Sequence, residues 1–120
     1  MDREAALAAV EADVAGRTTQ LLDISHDIWE HPELCFEEQH AHGVLTEALE
    51  DAGLDVERGA FGLDTAFRAT VRGGDGPTVA ICCEYDALPE IGHACGHNVI
   101  AAAGLGAGLG EMGADLFAAP

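Results

Sequence analysis

Apolar residues recur at helical spacing from the start of the chain. Leu7, Val10, Val14, Leu21, Ile24 and Ile28 keep one stripe through an alanine-rich polar background. This stripe predicts a first helix from an Asp2 cap to about Glu30, with Gly16-Arg17 as its weak spot. Pro32 ends it, because the residue before a proline is pushed out of the helical region. Ala41, Val44, Leu45, Ala48, Leu49 and Ala52 then repeat at steps of three and four, predicting a second helix over 36–52 closed by Gly53.

The period next shortens to two. Leu54 to Arg58 reads as a short strand, and over 65–72 Phe67, Ala69 and Val71 share one face while Arg68, Thr70 and Arg72 share the other. Gly73-Gly74-Asp75-Gly76-Pro77 is a turn by composition. Thr78-Val79-Ala80-Ile81-Cys82-Cys83 is apolar on both faces, the pattern of a central strand covered from both sides. A loop over 84–93 leads into a small-residue helix over 95–109. No repeat, linker or second domain interrupts this order. Two helices, three strands and a helix predict one α/β layered unit over residues 1–120, with an unfinished sheet.

Charge narrows the function classes. The 120 residues carry 22 acidic and 5 basic side chains, a formal net charge of −17, and every basic residue is arginine. Such a surface repels a phosphate backbone and an anionic membrane, which excludes electrostatic nucleic-acid binding and basic-patch docking on lipid. At 48% hydrophobic residues the chain is too apolar for a disordered acidic tail. Met1-Asp2-Arg3-Glu4 lacks the cationic opening of a secretory signal, and Val99 to Leu109 is too short and glycine-rich to span a bilayer. Of the four cysteines (35, 82, 83 and 95), Cys82 and Cys83 are neighbours in a predicted strand and point to opposite faces. That is no disulfide framework, and the expectation is reduced thiols in a cytoplasmic protein.

The chemistry concentrates after the predicted buried strand, where α/β sheets collect their ligands. The carboxylates Glu84 and Asp86, the imidazoles His93 and His97 and the Cys95 thiol fall within fourteen residues there. A cysteine thiolate and a neutral imidazole are good ligands for zinc-like cations, and a glycine turn at Gly96 lets Cys95 and His97 face one ion. The other reading of the pair is a buried thiol beside a capping histidine. Two ligands do not close a tetrahedral site, so a metal needs further partners.

Other candidates have plainer explanations. Glu37-Glu38 sits at a helix start, where the dipole favours carboxylates. His26, His31, His40 and His42 lie on or beside exposed helical faces, as solvated or structural groups. Gly108 to Gly113 fits G-x-G-x-x-G but follows a helix rather than a strand, which argues against dinucleotide binding. Cys82 and Cys83 read as core filler. Trp29 and Tyr85 suit a substrate pocket or plain hydrophobic support equally.

Two motifs carry a family resemblance. Tyr85-Asp86-Ala87-Leu88-Pro89, followed by Gly92-His93-Ala94-Cys95-Gly96-His97-Asn98, resembles the metal-binding signature of the M20 family metallopeptidases. Trp29-Glu30-His31-Pro32-Glu33-Leu34-Cys35-Phe36-Glu37-Glu38 is similar to the His-Pro-Glu-Leu-x-Phe-Glu-Glu start of that family's amidohydrolase branch. That branch includes N-acyl amino acid and aminobenzoyl-glutamate hydrolases and related dipeptidases.

The resemblance implies a metal-dependent amidohydrolase that cleaves an amide in a dipeptide or N-acyl amino acid. Cys95 and His97 are then ligands of one or two divalent ions, zinc or manganese. Asp86 is the candidate catalytic carboxylate, orienting the site. Other branches place a histidine ligand where Glu84 stands, so no ligand role passes to Glu84. Asn98 stands where many relatives have aspartate. The family's catalytic glutamate pair, its later histidine ligands and an inserted dimerisation domain lie downstream, and the tail from Glu111 to Pro120 holds no such pair and no histidine.

The implied fold is the N-terminal part of a mixed-sheet, zinc-peptidase-like catalytic domain with helices on both faces. Full-length relatives are expected to be homodimers, and the short chain alone is expected to be inactive. The competing readings are a non-catalytic, truncated or partner-requiring metal-binding fragment and, third, a structural zinc site.

Overall fold

The computed structural model describes residues 1–116; Phe117 to Pro120, the end of the tail, lie outside them. Asp2 caps the first helix as its side chain predicts, accepting the Ala5 N–H at 2.8 Å. The expected single helix is two, α1 (Arg3–Gly16) and α2 (Thr18–Glu30), broken at the weak spot. Arg17 sits between them at φ −97° and ψ 6°, and its guanidinium reaches back one turn to Asp13 at 2.6 Å.

Helix α3 (Gln39–Asp51) starts three residues later than the periodicity predicts. Phe36 adopts a left-handed conformation (φ 68°), which a helix cannot continue through. Its other end follows the prediction. Gly53 is left-handed (φ 90°), and the Leu54 N–H donates to the Leu49 carbonyl at 3.1 Å.

Strands β1 (Asp55–Arg58) and β2 (Phe67–Thr70) pair antiparallel, with Asp55 opposite Thr70 and Arg58 opposite Phe67. Phe67 and Ala69 are half-buried and Arg68 and Thr70 exposed, the alternation read from the sequence. Helix α3 packs on this pair, giving the α/β class expected.

The sheet is smaller than the pattern promises. Thr78 to Cys83 is not a covered central strand: no backbone hydrogen bond joins it to another described residue, and Val79, Ile81 and Cys82 are exposed. Apolar alternation supplies propensity, but a ladder needs a neighbouring backbone, and among the described residues β1 and β2 pair only with each other.

Helix α4 (His97–Gly113) begins and ends later than the predicted 95–109, and Gly96, at φ 81°, stands left-handed before its start. Glycines in a helix interior cost about 1 kcal/mol each relative to alanine. Here they permit close approach on two sides. A Cβ on Gly106 would lie 2.8 Å from Leu21 and one on Gly110 2.7 Å from Val14, so α1 and α2 press against that face. A Cβ on Gly104 would lie 2.3 Å from the Cys83 sulfur, so the 78–83 segment rests on another. Cys83 is thus partly buried, as expected of filler, while Cys82 is not.

The core lies where α2, α3 and α4 meet. Ile28, Leu45 and Leu109 are wholly buried there, with Ile24, Leu49, Ala101 and Leu105 around them. His42, expected beside an exposed face, is buried on α3 with its Nε2 unpartnered. Among the described residues no helix is long and apolar enough to cross a membrane.

Candidate metal centre

The two motifs meet in space. The loop between α2 and α3 lies beside the segment after Cys83: Leu34 bridges Ala87 in parallel, and the Ala87 N–H donates to the Glu33 carbonyl at 2.7 Å. The residue next to Asp86 is therefore pinned by the backbone of the first motif.

The carboxylates of that motif hold the loop in shape. Glu33 accepts the N–H groups of His40 and Ala41 at 2.8 and 2.9 Å, satisfying two free donors at the start of α3. Glu38 is buried and does not cap the helix; it accepts the Phe36 N–H at 2.9 Å and the Thr65 hydroxyl at 2.7 Å. The capping role expected of Glu37-Glu38 thus belongs to Glu33, because the left-handed turn at Phe36 sends Glu38 inward. Glu33→Ala is expected to cost about 0.5–2 kcal/mol in a urea melt, the usual loss for a helix cap. An unchanged midpoint would show that Glu33 does not cap α3.

Tyr85 closes the loop's other side. Its hydroxyl donates to the Thr65 carbonyl, its ring stacks on Phe67 at 6.0 Å between centroids, and burial, followed by Glu38, pushes its phenol up to about 12. These contacts make Tyr85 hydrophobic support with one anchored polar end. Trp29 lies instead on an open groove between α2 and the start of α4, shared with His26 and Asn98. Asn98 ties the two helices together, its Nδ2 donating to the Ser25 carbonyl and hydroxyl at 3.1 Å each.

His97 is the first residue of α4 and faces Asp86. Its Nδ1 lies 2.8 Å from the Asp86 carboxylate and 3.0 Å from the Asp86 carbonyl oxygen. Both partners are acceptors, so the proton sits on Nδ1 and Nε2 is the nitrogen left to bind something else. Glu84, to which the resemblance gives no ligand role, stands at that nitrogen, 3.2 Å away. Cys95 is exposed with a free thiol, separated from His97 by the left-handed Gly96 predicted as a turn.

His93 is buried, near His97 and Asp86. Burial, then the nearby His97, hold its pKa below the ordinary imidazole value. His97, with its second nitrogen fixed by a carboxylate, fits the usual setting of a metal-bound imidazole. Cys95 adds a soft donor suited to zinc.

Among the described residues, however, Cys95 and His97 are not gathered with a third ligand. The group of three that does converge is Asp27, His31 and His40, whose ligand atoms lie within 4.8 Å of one another. The sequence alone gives both histidines only solvated or structural roles. The available signal is the four-residue step from Asp27 on α2 to His31 at its C-cap, which brings the two side chains together.

No family model matches the chain. Individual proteins do. Xaa-Arg dipeptidase of Mus musculus is 47% identical over 107 residues, covering 81% of this chain and 25% of that protein. The Homo sapiens Xaa-Arg dipeptidase is 44% identical over 103 residues, 76% of this chain and 24% of that one. A p-aminobenzoyl-glutamate hydrolase component from Escherichia coli is 36% identical over 118 residues, 84% of this chain and 24% of its own length. The chain thus spans about a quarter of the length of the curated relatives it matches. The relatives' shared character agrees with both motifs: the chain belongs to the M20 family of amidohydrolases and peptidases.

Proposed function

We propose that residues 1–120 form the N-terminal portion of a metal-dependent M20 catalytic domain that hydrolyses an amide bond in a dipeptide or N-acyl amino acid. The names of the most similar relatives support both substrate types, a dipeptide from the Xaa-Arg dipeptidases and an acylated amino acid from the aminobenzoyl-glutamate hydrolase. The observation that carries the reading is the Asp86–His97 contact at 2.8 Å, which engages Nδ1 and leaves Nε2, now 3.2 Å from Glu84, as the ligating nitrogen two residues from an exposed cysteine.

Cys95 and His97 would hold the zinc or manganese ion, which when bound would supply Lewis acidity at the scissile carbonyl and at a water. The chain's own residues prepare that place. Asp86 keeps the His97 proton on Nδ1 and fixes the ring. Glu33 and Leu34 fix Asp86 through Ala87. Gly96 bends the backbone between the two ligands, and a side chain there would be strained at its positive φ. The reacting base and the remaining ligands belong, on this reading, to other parts of the catalytic domain, and full-length protein is expected to be dimeric.

Metal content after dialysis, measured for the wild-type chain and for Cys95→Ala, tests the ligand pair. The expected result is loss of one bound zinc or manganese per chain in the variant. Equal metal content in both proteins overturns the assignment. Assay of the full-length protein on dipeptides and N-acyl amino acids follows: turnover that depends on added metal and disappears in Cys95→Ala supports the hydrolase reading, whereas turnover by residues 1–120 alone would overturn the placing of the base elsewhere. Metal lost without any turnover favours a non-catalytic metal-binding portion.

A further inference from the structure

We propose a second, separate metal site on this chain, formed by Asp27, His31 and His40 and selective for borderline divalent cations such as zinc, nickel or copper(II). Asp27 and His31 stand one turn apart at the end of α2, and His40 comes from the first turn of α3. His40 Nε2 lies 2.8 Å from Asp27 Oδ2, and His31 Nδ1 lies 3.2 Å from Asp27 Oδ1 and 2.8 Å from the Asp27 carbonyl. The two imidazole rings are 4.2 Å apart between centroids, tilted by 30°.

Metal–ligand bonds of about 2.0–2.2 Å leave ligand atoms roughly 3.4 Å apart in a tetrahedral site. The three ligand atoms already lie within 4.8 Å of one another, and an ion entering between them would replace the hydrogens that the imidazoles direct at Asp27. The backbone is held for it: Glu33 bonds the His40 and Ala41 amides, which fixes where His40 leaves α3. Two imidazoles and one carboxylate match zinc, nickel and copper(II), and match poorly with calcium or magnesium, which take oxygen ligands.

Three protein ligands leave one position open, and all three side chains are reachable from solvent. The net charge of −17 raises the local concentration of any cation. An ion held here ties the end of α2 to the start of α3 across the loop that contacts Ala87.

Nickel titration by calorimetry, in a chain carrying Cys95→Ser and His97→Gln, isolates this site from the Cys95/His97 pair. One saturable equivalent is expected to remain. Adding His40→Gln or Asp27→Asn should weaken it by at least about tenfold, the scale on which even an outer partner's loss acts. His26→Gln, an exposed histidine outside the cluster, should leave it unchanged. Absence of a saturable equivalent, or an unchanged affinity after His40→Gln, overturns the proposal.

Should the Cys95/His97 variant fail to fold, zinc titration of the wild-type chain followed by imidazole NMR decides. Shifts at the rings of both His31 and His40 support the site. Shifts confined to other histidines overturn it. Loss of binding in Cys95→Ala alone bears only on the first site, so the two proposals fail separately.

Discussion

Asp86→Asn is expected to lower the chain's zinc affinity about 10–100-fold, the range typical of partners that orient a metal-bound histidine. The carboxylate accepts from His97 Nδ1 at 2.8 Å, so Nε2 is the nitrogen that would ligate. An asparagine amide can offer a hydrogen to Nδ1 instead, which moves the proton to Nε2 and takes away the lone pair that would ligate. Competition with a chelator measures the affinity, and far-UV circular dichroism checks that α4 is intact. An affinity within about twofold of wild type would remove Asp86 from the site, since an outer partner's loss should exceed that.

Leu109→Ala is the second large effect, and it acts on stability. Leu109 is wholly buried in the cluster with Ile28 and Leu45, and its neighbours Ala101 and Leu105 on α4 leave little that can collapse into the gap. Glycines on both sides of the helix add no atoms to refill it. The expected loss is roughly 2–5 kcal/mol, the span for leucine truncation in a core. Urea denaturation at unchanged m-value reads it; a loss under about 1 kcal/mol would show that this part of α4 is loosely packed.

The helices are legible in the sequence because their apolar spacing answers to one core. Ile24, Ile28, Leu45 and Leu49, picked out by periodicity, are buried together. Boundaries depart from the pattern where backbone conformation overrides periodicity, at Arg17 and at the left-handed Phe36. The third strand fails for a different reason. Alternation and apolarity describe what a segment could pair with, and they contain no information on whether a partner backbone lies alongside.

The site is legible in part. Asp86 and His97, both singled out from the sequence, lie 2.8 Å apart, with both ends of that contact in one short stretch of sequence. The roles of Glu33 and Glu38 escape a sequence reading because they depend on a turn at Phe36 that no pattern announces. The Asp27–His31–His40 cluster escapes it because its third member comes from another helix, and only the fold brings His40 within 2.8 Å of Asp27.

The bare segment from Thr78 to Cys83 has a consequence for how copies of this chain meet. Six residues rich in β-formers, uncharged and without proline, with backbone groups free of any described partner, resemble the stretches that stack between molecules into aggregates. Nothing within the segment guards against that. The guard is collective: mutual repulsion among chains that each carry a net charge of −17 holds such stretches apart. The acidic surplus therefore serves as colloidal protection for one short piece of backbone, and salt, by screening it, weakens that protection.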